Sequence, residues 1–179
     1  MRRARRGPSL LNVEWFRPAV AGVVAMVLGG WSLAACSESN AIGGTAREAA
    51  VVTEIVRLVA ADVPVEGEQL PVVFVVGPDG TIGIEVQAGV AEALVDEVDV
   101  RFADERGEAI DDTTDDLAVR EGGALVVIDE VPSEGRTFEV EAGRYRTAQD
   151  RDRLVMSFQW RSEQWTVTST TVVLPVVEN

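Results

Sequence analysis

Hydrophobic residues recur along this chain with two periods. Over 45–61 the period is helical: Val52, Ile55, Val56 and Val59 fall at i, i+3, i+4 and i+7 and make one apolar stripe. Thr45 and Glu48 stand ahead of it at the spacing of a capping box, in which hydroxyl and carboxylate satisfy free amides of the first turn. Arg47, Glu54 and Arg57 are placed largely off the stripe, and Glu54 can pair with Arg57. Pro64 closes the region. A shorter helix is expected over 87–97, where Val90, Ala93, Leu94 and Glu97 share a face. Gly89 weakens it by about 1 kcal/mol relative to alanine.

Elsewhere the period is two, or the apolar run is unbroken. Residues 71–76 are a β-branched and aromatic run that reads as a strand buried on both faces. Gly77-Pro78-Asp79-Gly80 is a strong turn signal, and 81–86 read as the returning strand of a hairpin. Val98, Val100 and Phe102 alternate with polar residues, as in a half-buried strand. Residues 124–128 are a further buried strand. Phe138, Val140 and Ala142 alternate with glutamates, Gly143 is read as a bulge before Tyr145, and 148–153 as a charged turn. Leu154, Met156, Phe158 and Trp160 give the clearest alternation in the chain. A short Ser162-Glu163-Gln164 link then leads into a threonine- and valine-rich strand, so 154–173 form an antiparallel hairpin, expected at the centre of the sheet. The sum predicts an α+β domain: the first helix packed on a mainly antiparallel sheet of about seven strands, with one further short helix.

The first 36 residues follow neither pattern. Arg2, Arg3, Arg5, Arg6 and Arg17 precede an apolar run, small residues follow, and Cys36 is the one cysteine of the chain. Basic, apolar, then small-residue order is the layout of a secretory signal. Leu33-Ala34-Ala35-Cys36 resembles the lipobox of a bacterial lipoprotein precursor. The resemblance implies that residues 1–35 are a signal peptide and that Cys36 is the acylated N-terminus, carrying diacylglycerol and an N-acyl chain. Residues 36–44 would be a lipidated tether and 45–179 a single extracytoplasmic domain on the outer face of the cell membrane. The competing reading is an uncleaved transmembrane helix, since the apolar run sits at the length that spans a bilayer.

Composition removes more chemistry than it suggests. Residues 36–179 hold 11 arginines and 29 acids, a formal charge of −18, which repels nucleic acid and anionic headgroups. There is no histidine and no lysine. That excludes Ser-His-Asp and Cys-His catalysis, Schiff-base lysine and zinc sites built on His. With one cysteine no intrachain disulfide can form, and the fold must rest on its core. Carboxylate chemistry and hard-cation binding stay open.

Three features are candidates for function. The acidic stretch 104–116 could offer calcium its oxygens, but it lacks the glycine and terminal glutamate of an EF-hand and reads more simply as a solvated, mobile loop. Trp160 and Trp165 flank the last turn and could form a stacking platform for a sugar or peptide; Trp160, in phase with Phe158, is the better core residue of the two. Arg144 and Arg146 share one face of a strand with Tyr145 opposite, a small basic island suited to carboxylate or phosphate unless neighbouring glutamates neutralise it. The expected function is a non-catalytic binding or envelope-assembly domain, without cofactor, metal or nucleic acid. Its partners would be the membrane through its lipid and an envelope protein or small ligand. The alternative is a carboxylate hydrolase, calcium-assisted or not.

Overall fold

The structure is a computed structural model that describes residues 43–173. The export segment, Cys36 and the lipobox lie outside the described residues. Helix α1 (Gly44–Ala60) leads to strand β1 (Val72–Val76), helix α2 (Ile84–Leu94) and strand β2 (Asp99–Phe102). A short helix α3 (Arg106–Ala109) and a 3-10 turn (Arg120–Gly122) precede β3 (Ala124–Ile128). Strands β4 (Thr137–Tyr145), β5 (Arg151–Arg161) and β6 (Gln164–Val173) complete one six-stranded sheet of order β2-β1-β3-β4-β5-β6.

The α+β class holds, but the sheet is mixed rather than mainly antiparallel and has six strands rather than seven among the described residues. β1 pairs in parallel with both β2 and β3, whereas β3 to β6 form an antiparallel meander. The difference arises at 81–86. The turn forms, with the Gly80 amide donating to the Gly77 carbonyl at 3.1 Å. No returning strand follows. Ile82, Ile84 and Val86 alternate, yet Ile84 is 76% exposed, while Val86, Val90 and Leu94 are buried at i, i+4 and i+8. The helical period wins, α2 starts at Ile84, and the chain crosses over to a parallel β2.

α1 and α2 cover one face of the sheet. Val51, Val52, Ile55, Val56 and Val59 of α1 pack there with Val73, Val75, Val126, Val140, Met156 and Phe158. Gly89 has a use at the helix pair: a Cβ there would stand 3.1 Å from the Ala49 Cβ, so its absence lets the two helices close up. The capping box does not form. Thr45 lies inside a helix that begins at Gly44 with Gly43 as N-cap, and no side chain of the described residues caps the end. Arg47 is not off the stripe but buried with it.

The opposite face is only half covered. The acidic stretch is not a free loop: it carries α3 and, with the residues that follow it to Val119, lays Ala109 and Val119 against Phe74, Val76, Leu125 and Tyr145. Ile110 bridges Val119, the Asp111 amide donates to the Ala118 carbonyl at 2.8 Å, and the Ala148 amide donates to the Asp116 carbonyl at 2.9 Å. Most of its acids are exposed, Ala109 and Val119 are buried, and Leu117 stays 44% exposed. Beyond Tyr145 this face of β4, β5 and β6 meets solvent.

The β5–β6 hairpin forms as expected, though at the edge of the sheet and through a tighter link. Ser162 and Glu163 both take positive φ (48° and 64°) and Arg161 pairs with Gln164, so two residues turn the chain as right-handed strand twist prefers. The bulge lies between β5 and β6 at Ser157/Phe158; β4 runs in unbroken register through Gly143. The turn expected over 148–153 is shorter, since β5 starts at Arg151. Phe158 is fully buried among the core residues, whereas Gln159 points to the open face. Phe158→Ala should therefore lower the unfolding free energy by about 3–5 kcal/mol, and Gln159→Ala by no more than about 0.5 kcal/mol, in urea melts of the two variants. A larger loss at Gln159 would mean that the register is wrong.

Candidate functional site

The two-residue turn sets Trp160 directly opposite Trp165, with ring centroids 5.2 Å apart. Phe138 of β4 completes the group, 4.9 Å from the Trp165 ring and 5.5 Å from Phe158. Arg47 of α1 comes down onto this cluster. Its guanidinium carbon lies 4.2 Å from the Phe138 centroid and 4.6 Å from that of Trp165. The same group donates to the carbonyls of Gly135 (3.0 Å) and Glu134 (2.9 Å) in the turn before β4. A lysine could not do this, because it lacks a planar fork that stacks and bonds at once. Burial lowers the Arg47 pKa from its ordinary value, and a guanidinium still stays charged from so high a start.

The order of the two tryptophans is the reverse of the expected one. Trp165 is 4% exposed and belongs to the core; Trp160 is half-buried. The Trp165 indole Nε1 is buried without a hydrogen-bond partner among the described residues. Both rings line a cleft of about 470 Å³ against Ala46, Ala49, Gly89 and Ala93, small residues of α1 and α2. At its rim Arg57 bonds both Glu54 and Glu97, the latter at 2.8 Å through Nε. Hydrogen bonding to Arg57 holds the Glu97 carboxyl below its usual pKa, and the same bond raises Arg57.

A larger cleft of about 660 Å³ opens on the other face of the sheet, beside the edge of the acidic cover. Its marker is Tyr145. The Tyr145 hydroxyl donates to the Leu117 carbonyl at 2.8 Å, and the Arg106 guanidinium stands 5.9 Å from the ring centroid. Leu117 pays for this contact with a left-handed backbone, φ 51°, a conformation that costs a side-chain-bearing residue roughly 1–2 kcal/mol. Arg151 pairs across from Tyr145, and Arg153 across from Gly143, so all four share the open face. Arg153 bonds Glu141.

The two arginines of the basic island stay on one side of the sheet, both reaching Asp62. Arg144 faces the α1 side, where it bonds Asp62 and, at 2.6 Å, Asp152. Burial alone would lower its pKa, but the hydrogen bond and charge of Asp152 and the charge of Asp62 outweigh it and raise it. Arg146 bonds Asp150 at 3.3 Å. Neutralisation thus comes from aspartates, not glutamates, and Tyr145 does lie on the opposite face. In the acidic stretch, the Thr113 hydroxyl and amide lower the Asp111 pKa. Among the described residues no three carboxylates gather as metal ligands.

No protein-family model, no curated protein and no solved structure matches this chain. Its chemistry has to be read from its own residues. The arginines of the larger cleft escaped the sequence reading because Arg151 and Arg153 fell in a supposed turn and Arg106 in a supposed free loop. The usable signal was Gly143, a glycine in the middle of an alternating strand.

The Arg47 geometry carries a direct test. Arg47→Ala removes two charge-assisted hydrogen bonds and a ring contact and should destabilise the protein by roughly 3 kcal/mol, at about 1.5 kcal/mol per bond. Arg47→Lys should recover less than half of that. Chemical denaturation followed by tryptophan fluorescence measures both, since Trp165 is in the contact. Full recovery by lysine would show that charge alone, not the planar fork, matters there.

Proposed function

We propose that this chain is an exported lipoprotein, held at the extracytoplasmic face of the cell membrane through acylated Cys36. Its domain, 45–179, then works as a non-catalytic binding or envelope-assembly module. The observation that carries the reading is the Leu33-Ala34-Ala35-Cys36 motif after a basic and then apolar leader. Diacylglycerol with an added N-acyl chain supplies more than the single acyl chain that anchors only marginally. Among the described residues no helix is long and apolar enough to cross a membrane, so attachment in this reading falls to the leader and its cysteine.

Binding is favoured over hydrolysis by the state of the acids. A general acid at neutral pH needs a raised pKa. At the rim of the smaller cleft the Glu97 carboxyl is instead held below its usual pKa by its hydrogen bond to Arg57. In the larger cleft Glu141 is ion-paired to Arg153. In the smaller one, Trp160 offers a half-buried indole face to a ligand or partner.

Growth with a labelled fatty acid tests the anchor. The wild-type chain should take up label and fractionate with membranes; Cys36→Ala should lose the label to background and run as an uncleaved precursor. Label retained by Cys36→Ala would sink the lipoprotein reading.

A further inference from the structure

Gly143 sits in mid-strand between two paired neighbours, Val127 on β3 and Arg153 on β5. Glycine costs a strand stability because it has more freedom to lose and no side chain to pack. Structural reasons normally justify it: positive φ, a bulge, or a backbone pressed against the Cα. None holds here. Gly143 is not among the positive-φ glycines, its register is unbroken, and a Cβ built on it would meet no atom of the described residues within 4 Å. It is exposed although its strand is internal to the sheet. What the missing side chain does is leave the floor of the larger cleft open.

The walls of that cleft say what fits. One level along the strands from Gly143, about 6.8 Å for two residues, come Tyr145 and Arg151, with Arg106 over the Tyr145 ring. Neither Arg106 nor Arg151 makes an ion pair among the described residues, in a chain with 30 acids to 16 basic groups. Level with Gly143 are half-buried Val127 on one side and Arg153 on the other, whose stem is apolar while its head is taken by Glu141. Val173, 44% exposed, closes the row. Asp129 lines the far end, level with Glu141 and four residues from the Arg151 level, roughly 13 Å away. The cleft is therefore cationic at one end and aliphatic in the middle.

We propose that it binds a small amphiphilic anion, a carboxylate or phosphate monoester on a short aliphatic body. The head lies between Arg106 and Arg151 and the body over Gly143, between Val127 and the Arg153 stem. Guanidinium groups bond both head groups through paired N–H donors. The left-handed backbone at Leu117 contributes by presenting the carbonyl that holds Tyr145, against which the α3 segment places Arg106. This rests on the binding-module half of the reading above and is independent of the lipid anchor.

The test is an NMR titration of the ¹⁵N-labelled full chain in nonionic detergent micelles, in low-chloride buffer, with hexanoate, hexyl phosphate, hexanol and hexylammonium. Both anions should shift the Gly143 amide and the Arg106 and Arg151 Nε–H signals saturably; the alcohol and the amine should not. Gly143→Val should keep or raise the thermal midpoint, since valine suits a strand and nothing stands in its way, yet weaken anion binding at least about tenfold. Arg106→Gln and Arg151→Gln, both at exposed positions, should each weaken it about tenfold, one charge-assisted bond's worth. Unimpaired binding by folded Gly143→Val overturns the proposal, as does equal binding of hexanol or the absence of any saturable shift. Binding confined to phosphatidylglycerol vesicles, with no response to the soluble anions, also overturns it. If the titration fails while Cys36 still takes label, the anchor stands and the ligand assignment alone falls.

Discussion

Parallel strands have to be covered on both faces, and antiparallel ones do not. This sheet contains both kinds, and that constraint arranges everything laid on it. β1 lies at the parallel end between β2 and β3, and its run of five apolar residues leaves no polar face to give to water. The two crossovers that parallel pairing requires supply the cover. The β1–β2 connection brings α2 to one face, and the β2–β3 connection brings the acidic stretch to the other. The antiparallel half gets α1 on one face only, and its other face carries arginine, glutamate, serine and threonine. The boundary between covered and open sheet falls at Tyr145, and the larger cleft lies along it.

How far the sequence could be read follows from the same division. Where one face is wet, period two is explicit, and the β5–β6 hairpin and the inward face of β4 are legible from Leu154, Met156, Phe158, Val140 and Ala142. Where both faces are dry the period vanishes. The run at 71–76 announced burial on both faces, which already argued for parallel neighbours. The strong turn after it pointed to a hairpin instead, and the alternation of Ile82, Ile84 and Val86 reinforced the error. Two apolar patterns overlap in those residues, and only the position of Ile84, outside the core, separates them. The acidic stretch was misjudged for a different reason: its net charge hid three or four apolar residues whose burial decides where it lies.

Arg47 shows a third limit. A helix position four residues before Val51 and eight before Ile55 is on the buried face by geometry, yet arginine there is read as surface by type. The cost of burying it is met by two backbone carbonyls of a turn 87 residues later and by two aromatic rings from β4 and β6. None of these partners is visible from the local pattern. The same cluster decides between the tryptophans: the residue that meets the guanidinium, Trp165, is the one drawn into the core, and Trp160 is left at the rim.

A chain without lysine uses arginine for fork-shaped work, and its ion pairs reflect this. Arg57 joins Glu54 to Glu97, Arg101 joins Asp99 to Glu121, and Arg144 joins Asp62 to Asp152, each tying together two segments or two strands. The exposed pairs, those of Arg57 and Arg101, contribute little each, about 0–1 kcal/mol, whereas the Arg144–Asp152 pair is largely buried. Their value is in position, since a guanidinium between two carboxylates fixes both. With acids in such excess, an arginine that lacks one is informative only where several converge. Arg120, Arg136 and Arg161 also make no ion pair among the described residues, but they line neither cleft. Arg106 and Arg151 come from distant parts of the chain and meet around one tyrosine, beside a glycine that the strand has no use for. The missing side chain costs the strand stability, and beside it stand two exposed guanidinium groups that meet no carboxylate among the described residues. A fold that bears both at one spot has a reason for the spot that lies outside the fold.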